Sequence, residues 1–224
     1  MEFPSWVVER VVARQGRLHP HTQLHADKLA FVVIDMQNYF VMPGFPAAVP
    51  SAPSTVPTIN KLCATVREAG GLVIWVQTSS VGSDTQLAVH YNETVTPERK
   101  YKRMENLHPA SQGYQLYSTL DVKAADVRME KICYSALVEG SSSLGKLLKS
   151  RNIETLLIGG TATNVCCDST ARDAVMQNFR VIMVDDALSA FTEHEHTWAL
   201  HNWMLFFGDV LSAQEVATIL LPAV

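Results

Sequence analysis

The chain has 224 residues, with 18 Lys and Arg against 22 Asp and Glu, four cysteines and 47% hydrophobic residues. That length supports one sizeable core, and a net charge of −4 with no basic block argues against a nucleic-acid footprint or a polybasic membrane patch. No run approaches the roughly 20 apolar residues of a membrane span, the first residues lead into charge where a signal peptide needs an apolar stretch, and four cysteines, two of them adjacent at Cys166-Cys167, make no disulfide framework. The expectation is a cytoplasmic protein with a small-molecule partner, no nucleic acid and no membrane.

Residues 1–27, including His19 and His21, show no sustained period and read as an N-terminal arm, which leaves 28–224 as the domain. Leu29–Ile34 (LAFVVI) is a continuous apolar run ending at Asp35, as suits a strand buried on both faces of a parallel sheet. A Pro-rich loop is expected over 43–57. Ile59, Leu62, Cys63 and Val66 then recur at helical spacing, closed by Gly70-Gly71, and residues 72–76 (LVIWV) read as a second buried strand. The stretch 78–125 is polar and irregular, too long for a simple connection, and reads as a functional lid or an interface segment. Residues 127–132 read as a strand carrying Lys131 at its end, and Leu144, Leu147 and Leu148 mark a helix. Residues 155–158 with Gly159-Gly160 form a strand that passes through 161–164 into a helix over about 165–177. Residues 180–184 form a strand closed by Asp185-Asp186, and two C-terminal helices open with capping boxes, Thr192 with Glu195 and Ser212 with Glu215. Such alternation means an α/β fold with a parallel sheet covered on both sides, whose ligand crevice lies beyond the C-terminal ends of the strands.

The chemistry should therefore sit at strand ends. Cys166 falls where the loop from Gly159 to Asn164 gives way to a helix, whose unpaired N–H groups and macrodipole favour an anion. A thiol there is expected to ionise more readily than usual, and the amides of Cys166 and of a loop residue such as Ala162 offer an oxyanion hole. For a cysteine taken alone, a small buried hydrophobe is the competing reading. Asp35, after a wholly apolar strand, would be desolvated, a setting that suits a general base. Lys131 would hold a carboxylate and a thiolate in ionised form, its competing reading being a solvated surface lysine. The three together supply a nucleophile, a proton shuttle and a charge that orders them.

At these residues the chain resembles the isochorismatase-like cysteine hydrolases, a family that includes nicotinamidases, N-carbamoylsarcosine amidohydrolase and ureidoacrylate amidohydrolase. The resemblance rests on residues 33–40 (VIDMQNYF), 131–137 (KICYSAL) and 160–174 (GTATNVCCDSTARDA), in the family's order and spacing, and covers roughly 28–215. It implies a Rossmann-like three-layer α/β/α sandwich with a mainly parallel six-stranded sheet and an Asp–Lys–Cys triad falling on Asp35, Lys131 and Cys166. It also implies a cis peptide between Thr161 and Ala162 that turns the amides of Ala162 and Cys166 toward one oxyanion. Cys63, Cys133 and Cys167 read as packing residues.

Nicotinamidases of the family carry an Asp-x-His metal element after the second strand, whereas this chain reads Gln77-Thr78-Ser79-Ser80 there, so neither metal nor cofactor is expected. His19, His21 and His25 read as structural or solvated, and His194, His196 and His201 as packing or interface residues. The segments 163–166 and 206–210 look most like the ureidoacrylate amidohydrolase branch, which points to a C–N hydrolase of a small ureido, carbamoyl or primary amide substrate that releases ammonia through a thioester. Phe40, Thr78, Gln112 and Tyr134 are the candidate substrate contacts. The rival readings are vinyl-ether hydrolysis of an isochorismate-like substrate, a thiol-redox protein using Cys166 and Cys167, and a non-catalytic interaction domain. The N-terminal arm and the Trp- and His-rich C-terminal helix suggest a homodimer or homotetramer.

Overall fold

A computed structural model describes residues 1–220; residues 221–224, the end of the expected 28–224 domain, lie outside the described residues. Six strands, β1 (Leu29–Ile34), β2 (Leu72–Thr78), β3 (Val127–Lys131), β4 (Thr155–Thr161), β5 (Arg180–Ser189) and β6 (Asp209–Leu211), form one sheet in the order β3-β2-β1-β4-β5-β6. Every pairing is parallel. The alternation of side chains along β1 shows why both faces need cover. Ala30, Val32 and Ile34 enter one apolar cluster and Leu29, Phe31 and Val33 the other.

The first face is covered by α1 (Ser5–Gln15), α7 (Leu144–Ser150), α8 (Asp168–Met176) and α9 (Glu193–Phe206), through Val7, Val11, Leu144, Leu148, Ala171, Leu200 and Trp203. The second is covered by α3 (Ala52–Glu68) and α10 (Ala213–Leu220), through Ile59, Leu62, Cys63, Val66, Val216 and Leu220. The result is a three-layer α/β/α sandwich. Among the described residues no helix is long and apolar enough to cross a membrane.

Several elements differ from the sequence reading. Residues 5–15, expected as part of an arm, form α1, whose Val7 and Val11 are fully buried one turn apart in the same core as the sheet. Only these two of its eleven residues are buried, a stripe too narrow to stand out in a Val-rich segment. Helix α3 starts at Ala52 inside the expected Pro-rich loop, because a proline in the first turn removes an N–H that has no helical partner anyway. The irregular stretch contains α4 (Ser83–Gln86), α5 (Ala88–Glu93) and α6 (Pro97–Asn106), which follow the end of β2. Strand β5 runs past Asp185-Asp186 to Ser189, pairing with β4 again after a register shift between Ile158 and Gly160. Both predicted capping boxes form, Thr192 with Glu195 and Ser212 with Glu215.

The strand order reverses between β1 and β4, where such sheets open a crevice. Gly160 has φ +109°, and a Cβ on it would lie 2.0 Å from the carbonyl oxygen of Ile34. Only glycine lets β4 come this close to the residue that precedes Asp35.

Candidate active site

Asp35 is the first residue past β1. Its φ of +56° lies in the left-handed region, which Asp tolerates better than most residues, and its N–H still donates to the Val76 carbonyl at 2.9 Å. The carboxylate leaves the strand axis and meets the ends of β2 and β3. Lys131 Nζ lies 2.9 Å from Asp35 Oδ2, 2.6 Å from Thr78 Oγ1 and 3.1 Å from the Cys133 carbonyl oxygen. Thr78 Oγ1 donates in turn to Asp35 Oδ1 at 2.8 Å. Asp35 and Lys131 are fully buried and Thr78 is 2% exposed. The Lys131 ammonium, 2.9 Å away, is the partner of Asp35 Oδ2, which accepts no other hydrogen bond. Burial alone would discharge the ammonium, but the Asp35 carboxylate outweighs it and holds Lys131 above its ordinary pKa.

Cys166 is 5% exposed and lies in a five-residue π-helical turn, Thr163–Cys167, between β4 and α8. The Thr161–Ala162 peptide that precedes this turn is cis. Thr170 Oγ1 donates to the Cys166 carbonyl at 2.8 Å and accepts from the Ala136 N–H at 3.1 Å, tying the turn to the segment that follows Lys131. The expected acidic thiol is not found. Burial first, then the charge of Asp35, push the Cys166 thiol up to about 12, against a smaller downward pull from Lys131 and Arg103. Desolvation and a facing carboxylate thus outweigh the helix end, and the resting sulfur is a neutral thiol beside a base. Cys167 is fully buried, with its sulfur 3.9 Å from the Gly159 carbonyl oxygen, in the role of a core residue.

An isochorismatase domain model matches residues 29–215 of the chain. The chain belongs to the isochorismatase family. A ureidoacrylate amidohydrolase, RutB, from Pseudomonas syringae pv. syringae is 34% identical over 86% of this chain and 84% of that relative. Among solved structures, a cysteine hydrolase from Pseudomonas syringae pv. phaseolicola superposes with a TM-score of 0.77 at 25% identity, covering 88% of this chain and 94% of that one. The N-carbamoylsarcosine amidase of Thermoplasma acidophilum superposes with a TM-score of 0.66 at 25% identity, covering 83% and 96%.

Around Asp35, Lys131 and Cys166 the four expected substrate contacts fare differently. Tyr134 is half-buried, lines a cavity and has its hydroxyl 2.8 Å from His90 Nε2. Phe40 is buried edge-on to Tyr39, with the Arg103 guanidinium 5.7 Å above its ring. Thr78 is enclosed by Asp35 and Lys131, so its hydroxyl is already engaged. Gln112 is exposed, and it is its carbonyl that reaches the neighbourhood, accepting from Asn38 Nδ2 at 2.9 Å.

Two further residues escaped the sequence reading. Gln37, fully buried, accepts from the Thr78 N–H at 2.7 Å and donates to the carbonyls of Thr78 and Tyr114, clamping β2 and the later loop onto the Asp35 turn. A polar residue three positions past an apolar strand was its signal. Arg103 had none, because the run ERKYKR of α6 reads as a solvated face.

The histidines divide as well. Asp209 supplies a carboxylate partner to His19, Nδ1 lying 2.8 Å from Oδ1. His196 Nδ1 lies 2.9 Å from Thr163 Oγ1, and His201 is buried beside Phe3 and Trp6. No group of three or more His, Cys, Asp or Glu suited to a metal ion occurs among the described residues.

The buried thiols carry a pH prediction. Burial pushes Cys63 to about 12, as it does Cys166, and Cys167 well above the ordinary 9.0. Above pH 9 these thiols ionise in the unfolded chain and stay neutral in the native one, so the native state binds more protons and unfolding becomes easier as pH rises from there toward 12. Each thiol contributes a slope of roughly 1.4 kcal/mol per pH unit once ionised in the unfolded chain alone. Urea midpoints should fall as pH rises from about 9 toward 12, and a flat profile there would contradict the desolvation of these sulfurs.

Proposed function

We propose that the protein is a cysteine-dependent amidohydrolase that cleaves a C–N bond of a small linear ureido, carbamoyl or primary amide substrate through a thioester. It is a hydrolase acting on carbon–nitrogen bonds other than peptide bonds, in keeping with its amidohydrolase relatives. The observation that carries the reading is a buried Asp35–Lys131 pair, in which Asp35 Oδ2 accepts no other hydrogen bond, next to a thiol that burial keeps protonated.

In this reading Asp35 takes the proton of Cys166 as the sulfur attacks the substrate carbonyl carbon, and the amides of Ala162 and Cys166 hold the oxyanion. The intermediate collapses with cleavage of the C–N bond, and Asp35 returns the proton to the departing ammonia or amine. Water then loses a proton to Asp35 as it attacks the thioester, the C–S bond breaks, and the sulfur recovers the proton. Lys131 stays charged throughout, so the negative charge that moves between carboxylate, sulfur and oxyanion always faces a fixed cation. Because the resting thiol is neutral, the reaction draws on proton transfer to a positioned base once substrate fills the site, and free thiolate is scarce at neutral pH.

Ammonia release from a panel of ureido acids and primary amides tests this reading, together with mass spectrometry of acid-quenched enzyme. A substrate acyl or carbamoyl adduct on the Cys166 peptide is the expected result. Turnover of a panel member with no such adduct, under conditions that trap a control thioester, would sink the covalent scheme.

Thr78 acts as a positioning residue here, since its hydroxyl joins the carboxylate to the ammonium. Thr78→Val keeps the volume and deletes that bridge, and should lower kcat about tenfold to a hundredfold, the size of a lost hydrogen bond to a charged group. The pH-rate profile should shift along with it. A loss confined to KM would instead make Thr78 a substrate contact.

A further inference from the structure

Helix α6 presents Arg99 and Arg103, one turn apart, to a cavity of about 300 Å³. His90, Tyr91 and Tyr134 line the same space. Arg103 Nε donates to the Tyr91 hydroxyl at 2.9 Å, and its guanidinium lies over Phe40. Among the described residues no carboxylate comes within 4.0 Å of either arginine, although Lys102, between them, pairs with Glu98 at 2.7 Å. Tyr91 is 2% exposed and Arg103 half-buried, so the guanidinium has given up part of its hydration without gaining a counter-ion. Such an arrangement is costly unless an anion completes it. With Nε engaged, the terminal nitrogens remain for a bidentate partner, the geometry in which guanidinium groups hold carboxylates.

Two links run from the cavity toward the reaction centre. Tyr134, on its wall, is three residues past Lys131, and the ring of Phe40, under Arg103, belongs to α2 (Asn38–Val41), the short helix that follows Asp35 in the chain. The charge of Arg103 is also felt at the Cys166 sulfur.

We propose that Arg103, seconded by Arg99, binds a carboxylate of the substrate, so that the enzyme selects amides that are also acids, of the ureido-acid or carbamoyl-acid type, with the amide carbonyl at Cys166 and the acid group in the α6 cavity. The substrate class rests on the amidohydrolase reading; the anion site itself does not.

The test compares N-carbamoyl-β-alanine with its neutral carboxamide. Wild-type enzyme should favour the acid by about a hundredfold in kcat/KM. Arg103→Met should lower kcat/KM for the acid about a hundredfold more than for the carboxamide, chiefly through KM, and Arg99→Met by a smaller factor. Arg103→Lys, which keeps the charge and loses the fork, should recover part of the selectivity and guards against a misfolded Met variant. Calorimetric titration of the Cys166→Ala protein with N-carbamoyl-β-alanine reads binding without turnover, and the Cys166→Ala/Arg103→Met protein should show it weakened about a hundredfold. Equal losses for acid and carboxamide in Arg103→Met, or no preference for the acid in wild type, would overturn the proposal. Arg103-dependent binding of the acid with no hydrolysis of any amide would leave the anion site standing and remove the amidohydrolase reading.

Discussion

Lys131→Met should lower the unfolding free energy by about 3–5 kcal/mol, because it strands the Asp35 carboxylate in a fully buried position with no cation. The ammonium now faces Asp35 Oδ2, Thr78 Oγ1 and the Cys133 carbonyl, so its removal leaves three oxygens crowded around an apolar chain. The carboxylate also loses the cation that holds it in place for the thiol. Stability and turnover should therefore fall together. A double-mutant cycle separates the pair from its surroundings: in Asp35→Asn/Lys131→Met much of the lost stability should return, while activity stays absent. Denaturant unfolding of the four proteins measures this directly. If Lys131→Met were as stable as wild type, the ion pair would not be desolvated as described.

Cys166→Ala should reduce ammonia release by about three to four orders of magnitude or more, with binding of the substrate largely kept. The buried Asp35–Lys131 pair survives the change, and what is lost is the only group able to form the thioester. Residual turnover would come from water activated by Asp35 at the oxyanion site. Cys166→Ser should also be slow, since an alcohol is harder to deprotonate than a thiol and Asp35 already works against a sulfur held near 12. The same thiol explains a second expected result, slow alkylation of Cys166 by iodoacetamide at neutral pH in the substrate-free protein. Full activity in Cys166→Ala would end the covalent scheme, and turnover of isochorismate retained by Cys166→Ser would direct attention to vinyl-ether chemistry.

The candidate site was legible wherever local order carried its signal. Asp35 stands out because an all-apolar strand ends on a charge, and Cys166 because a Gly-rich turn precedes a helix. Lys131 and Asp35 do meet, at 2.9 Å. Thr78 was noticed for its place at a strand end, but only the parallel register, in which Thr78 pairs with Lys131 while β2 also flanks β1, shows that its hydroxyl belongs to the ion pair. The reading of residues 1–27 as an arm failed for a related reason, since the burial of Val7 and Val11 depends on α9, nearly 200 residues away in sequence.

By itself the sequence determined the alternation of strand and helix, the parallel sheet covered on both faces, and the kinds of side chain that stand where strands stop. These follow from periodicity and from residues adjacent in the chain. Tertiary structure alone decided that the Cys166 thiol is raised rather than lowered, that Thr78 serves the Asp35–Lys131 pair, and that Arg103 faces a cavity with no carboxylate beside it among the described residues. Each of these is a matter of desolvation and charge summed over groups from segments far apart in the chain, and no local pattern contains that sum.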